Sequence, residues 1–193
     1  MKLTKTDFLI YRDCAHNAWM KLHRPEVYRA SPPSAFDLAL LETGNEVDEL
    51  ARGLFPGGVL IERGDVATTR QLITERTPVL YQPVVETEHF STAGDILVWN
   101  KALGGYDLYE VKASSGIKGD RAKAGLYTYD IAFQVELLRN AGVPLGRFHL
   151  VHLDSDYLRG ADLDIFSLFA IRDMSAEVEA LRDQIAAEME TAF

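Results

Sequence analysis

Cysteine is nearly absent: Cys14 stands alone among 193 residues, so no disulfide framework within the chain is open to it. No apolar run is long enough to span a bilayer. The opening M-K-L-T-K-T-D-F-L-I-Y carries charges in a pattern unlike a signal peptide, and a cytoplasmic protein is the expectation. No G-x-x-x-x-G-K-[ST] loop occurs, which argues against an intrinsic P-loop ATPase. No G-x-S-x-G elbow occurs either, and His16 lies two residues from Cys14, off its helical face. Nothing therefore supports serine or cysteine nucleophile chemistry. A basic excess is lacking too. The net charge is −9, whereas a nucleic-acid binder ordinarily shows a basic footprint. Many of the acids fall in 42–49 and 177–190, stretches that form solvated helical faces, so a local patch can still hold phosphate.

What is present reads as a mixed α/β protein. Thr4 is placed to cap a helix running to about residue 22, with Leu3, Phe8, Tyr11, Ala15, Ala18 and Trp19 as its apolar stripe. Ser34 caps a second helix over 35–52. A turn into a short strand follows at 54–61, then a short helix over 68–76. Residues 79–86 read as a strand in which Pro83 signals a sheet edge or bulge. The segments 93–99 and 106–112 alternate like half-buried strands joined by a Gly-Gly connection, an antiparallel hairpin. A helix over 124–140 closes at A141-G142-V143-P144. A strand over 147–153 and a helix from 175 complete the order α-α-β-β-β-α-β-α. The expectation is one domain over 1–193, with an N-terminal helix and linker over 1–33, a core over 34–153 and a C-terminal helix over 174–193.

The chemistry concentrates in the hairpin. With its loop centred between Ala102 and Leu103, Asp95 falls directly opposite Glu110, and Lys112 shares their face with Leu97 and Leu108. Opposed like charges destabilise a strand pair, so two carboxylates on an apolar face call for a counter-charge. A divalent cation supplies it, and hard oxygen donors suit Mg²⁺ or Mn²⁺. Lys112 then orients an attacking water or stabilises the anionic transition state. Gln134 is polar within an apolar helical stretch, and Glu86 near the preceding strand's end offers a further carboxylate. Ser114, Lys118, Arg121 and Lys123 form the best local phosphate patch, and Tyr127 and Tyr129 offer rings for base stacking. The bland alternative for the charged trio is a salt-bridge cluster on a solvated sheet face.

These residues carry a family resemblance. G94-D95, Y106-D107-L108-Y109-E110-V111-K112-A113 and D130-I131-A132-F133-Q134, with the opening L3-T4-K5-T6-D7-F8 through C14-A15-H16-N17-A18-W19, resemble the PD-(D/E)XK nuclease superfamily. The RecB-like branch, which includes the CRISPR-associated RecB-like exonucleases, is the most similar. The resemblance covers residues 3–154. It implies a restriction-endonuclease-like core, a four-to-five-stranded mixed sheet flanked by helices. It implies that Asp95, Glu110 and the Val111 carbonyl bind Mg²⁺ or Mn²⁺, that Lys112 is catalytic, and that Gln134 supports the site. The implied reaction is hydrolysis of DNA, as single strands or ends, in repair or processing. Three positions depart from the pattern. Asp48 stands where members often carry a metal-binding His, Leu138 where a Tyr often follows the Gln, and Cys14 lacks the three later cysteines of an iron–sulfur cluster. A cluster at Cys14 requires partners from a longer chain with an additional C-terminal domain. Two other readings stay open: a catalytically silent nucleic-acid-binding or scaffolding module, and a Mg²⁺-dependent hydrolase of small phosphate esters.

Overall fold

The computed structural model describes residues 2–28, 32, 34–115 and 121–192, with side chains at all of these except 121–124. It is a mixed α/β fold built on two sheets. The larger is six-stranded, in the order β2 (Val59–Leu60), β3 (Val79–Tyr81), β6 (Ile96–Asn100), β7 (Gly105–Lys112), β8 (Leu145–Leu153) and β9 (Phe169–Asp173). The smaller is three-stranded, in the order β1 (Leu3–Thr4), β5 (Phe90–Ala93) and β4 (Val84–Glu86). The main sheet exceeds the expected four to five strands through β9, an edge strand not read from the sequence, while β2 is the short strand expected within 54–61.

Helices cover both faces. Between β7 and β8 the chain crosses over through α5 (Arg121–Asn140), so these two strands run parallel. The helix closes as its sequence implied. Gly142 takes a φ of 76°, and the amides of Val143 and Gly142 donate to the carbonyls of Leu138 and Arg139, a Schellman closure. Strand alternation then divides the core. Leu97, Leu108 and Leu150 face α5 and pack on Ile131 and Leu137. Ile96, Val111 and Val151 face the other way, onto Val47 and Ala51 of α3 (Ala35–Arg52).

Both N-terminal caps form as read. Thr4 and Ser34 each make a reciprocal capping box, with Asp7 and Asp37 respectively. The first helix differs from expectation. It splits at Cys14 into α1 (Lys5–Asp13) and α2 (Ala15–His23), because Cys14 is extended. Its amide closes α1 on the Ile10 carbonyl while its own carbonyl opens α2 by accepting from Ala18. Leu3 leaves the helical stripe and pairs with Phe90 in the small sheet. The short helix, α4 (Val66–Thr74), starts two residues before the expected position because Asp65 caps it. The last helix is likewise two, α7 (Ser175–Ala180) and α8 (Arg182–Ala192), preceded by the single turn α6 (Ile165–Leu168).

The expected strand over 79–86 is cut at Gln82–Pro83, where β3 of the large sheet gives way to β4 of the small one. Proline has no amide for a ladder, and Gln82 adopts a φ of 52°. The neighbouring chain changes sheets at Gly94–Asp95, between β5 and β6. Two bonds clamp the paired switch points: Gln82 N–H to the Asp95 carbonyl at 2.8 Å, and Gly94 N–H to the Pro83 carbonyl at 2.9 Å. Asp95 thus sits where the two sheets part.

Gly105 shows how tightly β7 and β8 are joined. A Cβ there would lie 2.4 Å from the Leu145 carbonyl carbon and 2.5 Å from its oxygen. Gly105→Ala therefore has to push two backbones apart and is expected to destabilise the protein by about 1–3 kcal/mol, read as a lower urea midpoint. An unchanged midpoint contradicts the close approach.

Candidate active site

The hairpin forms in the expected register. Ile96 pairs with Tyr109 and Leu97 with Leu108, which sets Asp95 opposite Glu110. Asn100 closes the turn: its side-chain oxygen accepts from the amides of Ala102 and Leu103, and its amide bonds Asp107 at 2.9 Å. The face carrying Glu110 is not solvated. Glu110 is 1% exposed, roofed by α5 and α1, so the trio is no surface cluster.

Glu110 is the hub. One carboxylate oxygen accepts from Lys112 at 2.6 Å and from Lys5 at 2.9 Å; the other accepts from the Gln134 amide at 2.6 Å. Asp130, one helical turn before Gln134 on α5, takes Lys112 on one oxygen at 2.5 Å and Lys5 on the other at 3.1 Å. Two ammonium groups therefore bridge two buried carboxylates. Asp95 stands beside this square. Its Oδ2 accepts the Val111 N–H at 2.7 Å, and among the described residues no ammonium or guanidinium group pairs with it.

The charges respond to this arrangement. Burial alone would push the Glu110 carboxyl up, but Lys5, Lys112 and the Gln134 bond outweigh it and hold the group well below the usual carboxylate range. Burial opposes charge on Lys5 and Lys112 as well. Glu110 and Asp130 override it, so both lysines hold their protons more tightly than a free lysine. Asp95 goes the other way. Burial and the Glu110 charge push its carboxyl well above the ordinary value, and the two lysines and the Val111 amide offset only part. Asp130 is raised by the same two causes, less the pull of Lys5 and Lys112. Three carboxylates against two ammonium groups leave a formal charge of −1, with Asp95 the unpaired acid.

The donor set is all oxygen, which suits Mg²⁺ or Mn²⁺. Gln134 Oε1 is buried with no hydrogen-bond partner, a further open acceptor close to Gly94. Among the described residues no three His, Cys, Asp or Glu side chains come together to hold one ion. Mg²⁺ commonly uses only one or two carboxylates and keeps several waters, so Asp95 and Glu110 fit that mode of binding.

Other expected site residues lie elsewhere. Asp48 is tied to Arg52 at 2.5 Å and to the Gln82 side chain at 3.0 Å. Glu86 pairs with Lys2 on the small sheet. Among the described residues neither joins a group of three carboxylates with Asp95 and Glu110. Val111 meets Asp95 through its amide. Ser114 bonds the Tyr127 hydroxyl at 3.0 Å, and the Lys112 ammonium lies 5.7 Å over the Tyr127 ring, so both border the site. Tyr129 is covered instead by the Arg12 guanidinium, 3.3 Å above its ring. Lys118 lies outside the described residues, as do the side chains of Arg121 and Lys123. Cys14 is a half-buried free thiol at the α1–α2 break. No helix among the described residues is long and apolar enough to cross a membrane.

Lys5 and Asp130 are the members that sequence reasoning missed. Asp130 was within reach, because it lies four residues before Gln134 and shares its helical face. Lys5 is 105 residues from Glu110 and gave no local signal.

No model of a known protein family matches the chain, and no curated protein matches it. Among solved structures it is similar to an alkaline exonuclease, LHK-Exo, from Laribacter hongkongensis, at 15% identity and a TM-score of 0.46, over 98% of this chain and 88% of that one. The same enzyme in complex with dAMP gives 15% identity and a TM-score of 0.45 over the same shares. SSO0001 gives 11% and 0.41, over 96% of this chain and 75% of that one.

The unpaired state of Asp95 makes a pH prediction. The folded protein holds the Asp95 proton more tightly than the unfolded chain. Its share of stability is present below the ordinary carboxylate pKa and is lost as pH rises through the raised folded value. Glu110 is depressed, so its share is complete above the ordinary value and is lost only in stronger acid. As pH rises above the ordinary carboxylate value, then, wild-type stability falls relative to Asp95→Asn. That variant keeps an oxygen for the Val111 amide. At neutral pH it is expected to be more stable than wild type. A less stable variant, or a gap that does not grow with pH in urea titrations, contradicts the assignment.

Proposed function

We propose that this chain is a divalent-cation-dependent nuclease that hydrolyses DNA phosphodiester bonds by activated water, a member of the RecB-like branch of the PD-(D/E)XK superfamily. The observation that carries the reading is Asp95: a buried acid without a counter-ion among the described residues, set against a fully buried Glu110 that two lysines and a glutamine hold in place. Buried carboxylates with opposed pKa directions, one depressed and one raised, are the pattern by which acid and base roles are told apart in a site.

In this reading Asp95 and Glu110, with the Val111 carbonyl, hold one Mg²⁺ or Mn²⁺. Such an ion supplies an acidified water and neutralises charge on a phosphoryl oxygen. The protein's own groups do the rest. Gln134 fixes the second Glu110 oxygen and so its orientation. Lys112 keeps its proton at neutral pH, held by Glu110 and Asp130. It serves as a cationic hydrogen-bond donor to water or to the phosphoryl oxygen, and not as a base. Asp130 positions Lys112 from the opposite side. Single strands or ends are the expected substrate, in repair or processing of DNA.

One observation favours a second reading, a catalytically silent nucleic-acid-binding module. Lys5 and Lys112 already balance Glu110 and Asp130 without any metal, so the cluster also stands as a structural ion-pair network.

Cleavage of an end-labelled single-stranded DNA decides between them. The nuclease reading predicts cleavage with Mg²⁺ or Mn²⁺ and none with EDTA. It predicts a loss of about 100-fold or more in Lys112→Ala, the usual scale for removing one preorganised charge donor. Asp95→Asn loses activity while remaining folded. A wild type that binds DNA but cleaves none with either cation supports the silent module.

A further inference from the structure

The small sheet ends on an edge that no described strand covers. β4 lies outermost in the order β1-β5-β4, and its pairing with β5 fixes which backbone groups face outward. The Thr87 amide donates to the Phe90 carbonyl, and the Gly94 amide to the Pro83 carbonyl. Val85 stands opposite Thr92 in the same register. Bonded and non-bonded pairs alternate along an antiparallel ladder. Residues 83, 85 and 87 therefore bond inward to β5, while Val84 and Glu86 turn their amides and carbonyls to the open edge.

One of those four groups is already used. Thr69 Oγ1 of α4 accepts the Val84 amide at 3.0 Å, so the helix shields that end of the edge, a common protection against stray strands. The Val84 carbonyl and both backbone groups of Glu86 have no partner among the described residues. Along this stretch runs a cleft of about 200 Å³, between α4 and the turn 141–143, with all of β4 in its lining. Ile73, Val85 and Val143 give it aliphatic walls. Arg70 of α4 also lines it, exposed and with no carboxylate partner among the described residues. The lining holds one acid, Glu86, and Lys2 engages it.

We propose that this slot takes one extended segment of a partner polypeptide as a further strand on β4. The segment's backbone bonds the outward groups of Val84 and Glu86, an aliphatic side chain enters the cleft, and a carboxylate meets Arg70. Charge complementarity selects an acidic segment, because Arg70 is the cation left over in the lining. A second copy of this chain does not fit. α4 stands beyond the edge at Thr69, so a whole sheet brought up to β4 meets the helix, whereas a single strand passes between α4 and the turn. This docking edge is independent of the nuclease reading and stands or falls without it.

A random heptapeptide library displayed on phage and selected on the full chain tests it. Enriched peptides are expected to share aliphatic residues at alternate positions and an acidic residue. Selection on Arg70→Glu is expected to replace that acid with Lys or Arg. One enriched peptide, synthesised, then reads the geometry through amide exchange followed by NMR. Exchange at the Glu86 amide, open in the free chain, is expected to slow by about tenfold or more, and exchange at Val85, already bonded to β5, to change less. Arg70→Glu is expected to bind the peptide about fivefold more weakly at an unchanged melting temperature, the upper end for an exposed ion pair. Glu86→Pro removes the outward amide at a position where an edge strand tolerates proline, and is expected to lose binding; Glu86→Ala keeps the amide and is expected to bind as wild type does. No enrichment, an acid preference that Arg70→Glu leaves intact, or a bound peptide that leaves Glu86 exchange unchanged overturns the docking edge. Slowing of Glu86 exchange with protein concentration alone assigns the edge to a second copy and overturns it equally.

Discussion

A glutamate with almost no exposure governs this structure. Glu110 sits on the inner face of the central sheet, where an isolated carboxylate costs several kcal/mol to desolvate. It is tolerated only because three groups, two of them from other elements of the chain, arrive at its two oxygens. β7 supplies Lys112 two residues along the same face. The crossover helix α5 supplies Gln134, and one turn earlier Asp130, which holds both lysines from the far side. The first turn of α1 supplies Lys5. Placing that turn requires β1 to dock on β5, so the small sheet is part of the site's construction and not an appendage.

Where the two sheets separate, the chain leaves Asp95 in a different situation. Clamped by backbone bonds to Gln82 and Pro83 and by its own bond to the Val111 amide, it is close enough to Glu110 to feel its charge. Among the described residues it has no direct cationic partner. Its discomfort is therefore local, and removing the charge or adding a positive ion both relieve it. On the proposed reading, a site stabilised by lysines when empty and completed by a cation when loaded would not need a basic protein around it. A net charge of −9 is then compatible with the proposed chemistry, because Lys5 and Lys112 stand at the carboxylates themselves, and many of the acids lie in the helical stretches 42–49 and 177–190.

Much of this was legible in the sequence, for identifiable reasons. Register follows from the loop centre in a two-stranded hairpin, and a period of two fixes which side chains share a face. Asp95, Glu110 and Lys112 could therefore be brought together from 18 residues of text. Caps at Thr4 and Ser34 and the Schellman closure at Gly142 are local chemistry and read directly. Lys5 was out of reach because its partnership with Glu110 spans 105 residues and depends on β1, a strand of two residues. The break at Cys14 was hidden because the apolar stripe continues through it. Asp48 and Glu86, the other carboxylates expected at the metal, pair with Arg52 and Lys2, contacts that no local pattern announces.

The most direct measurement is a Mn²⁺-soaked crystal with anomalous diffraction. A single strong peak in contact with carboxylate oxygens of both Asp95 and Glu110 is the predicted result, with Lys112 still on Asp130. A site that stays empty at millimolar Mn²⁺, or a peak held elsewhere, as in the acidic 154–164 loop, contradicts the claim that Asp95 is left unpaired to receive a cation.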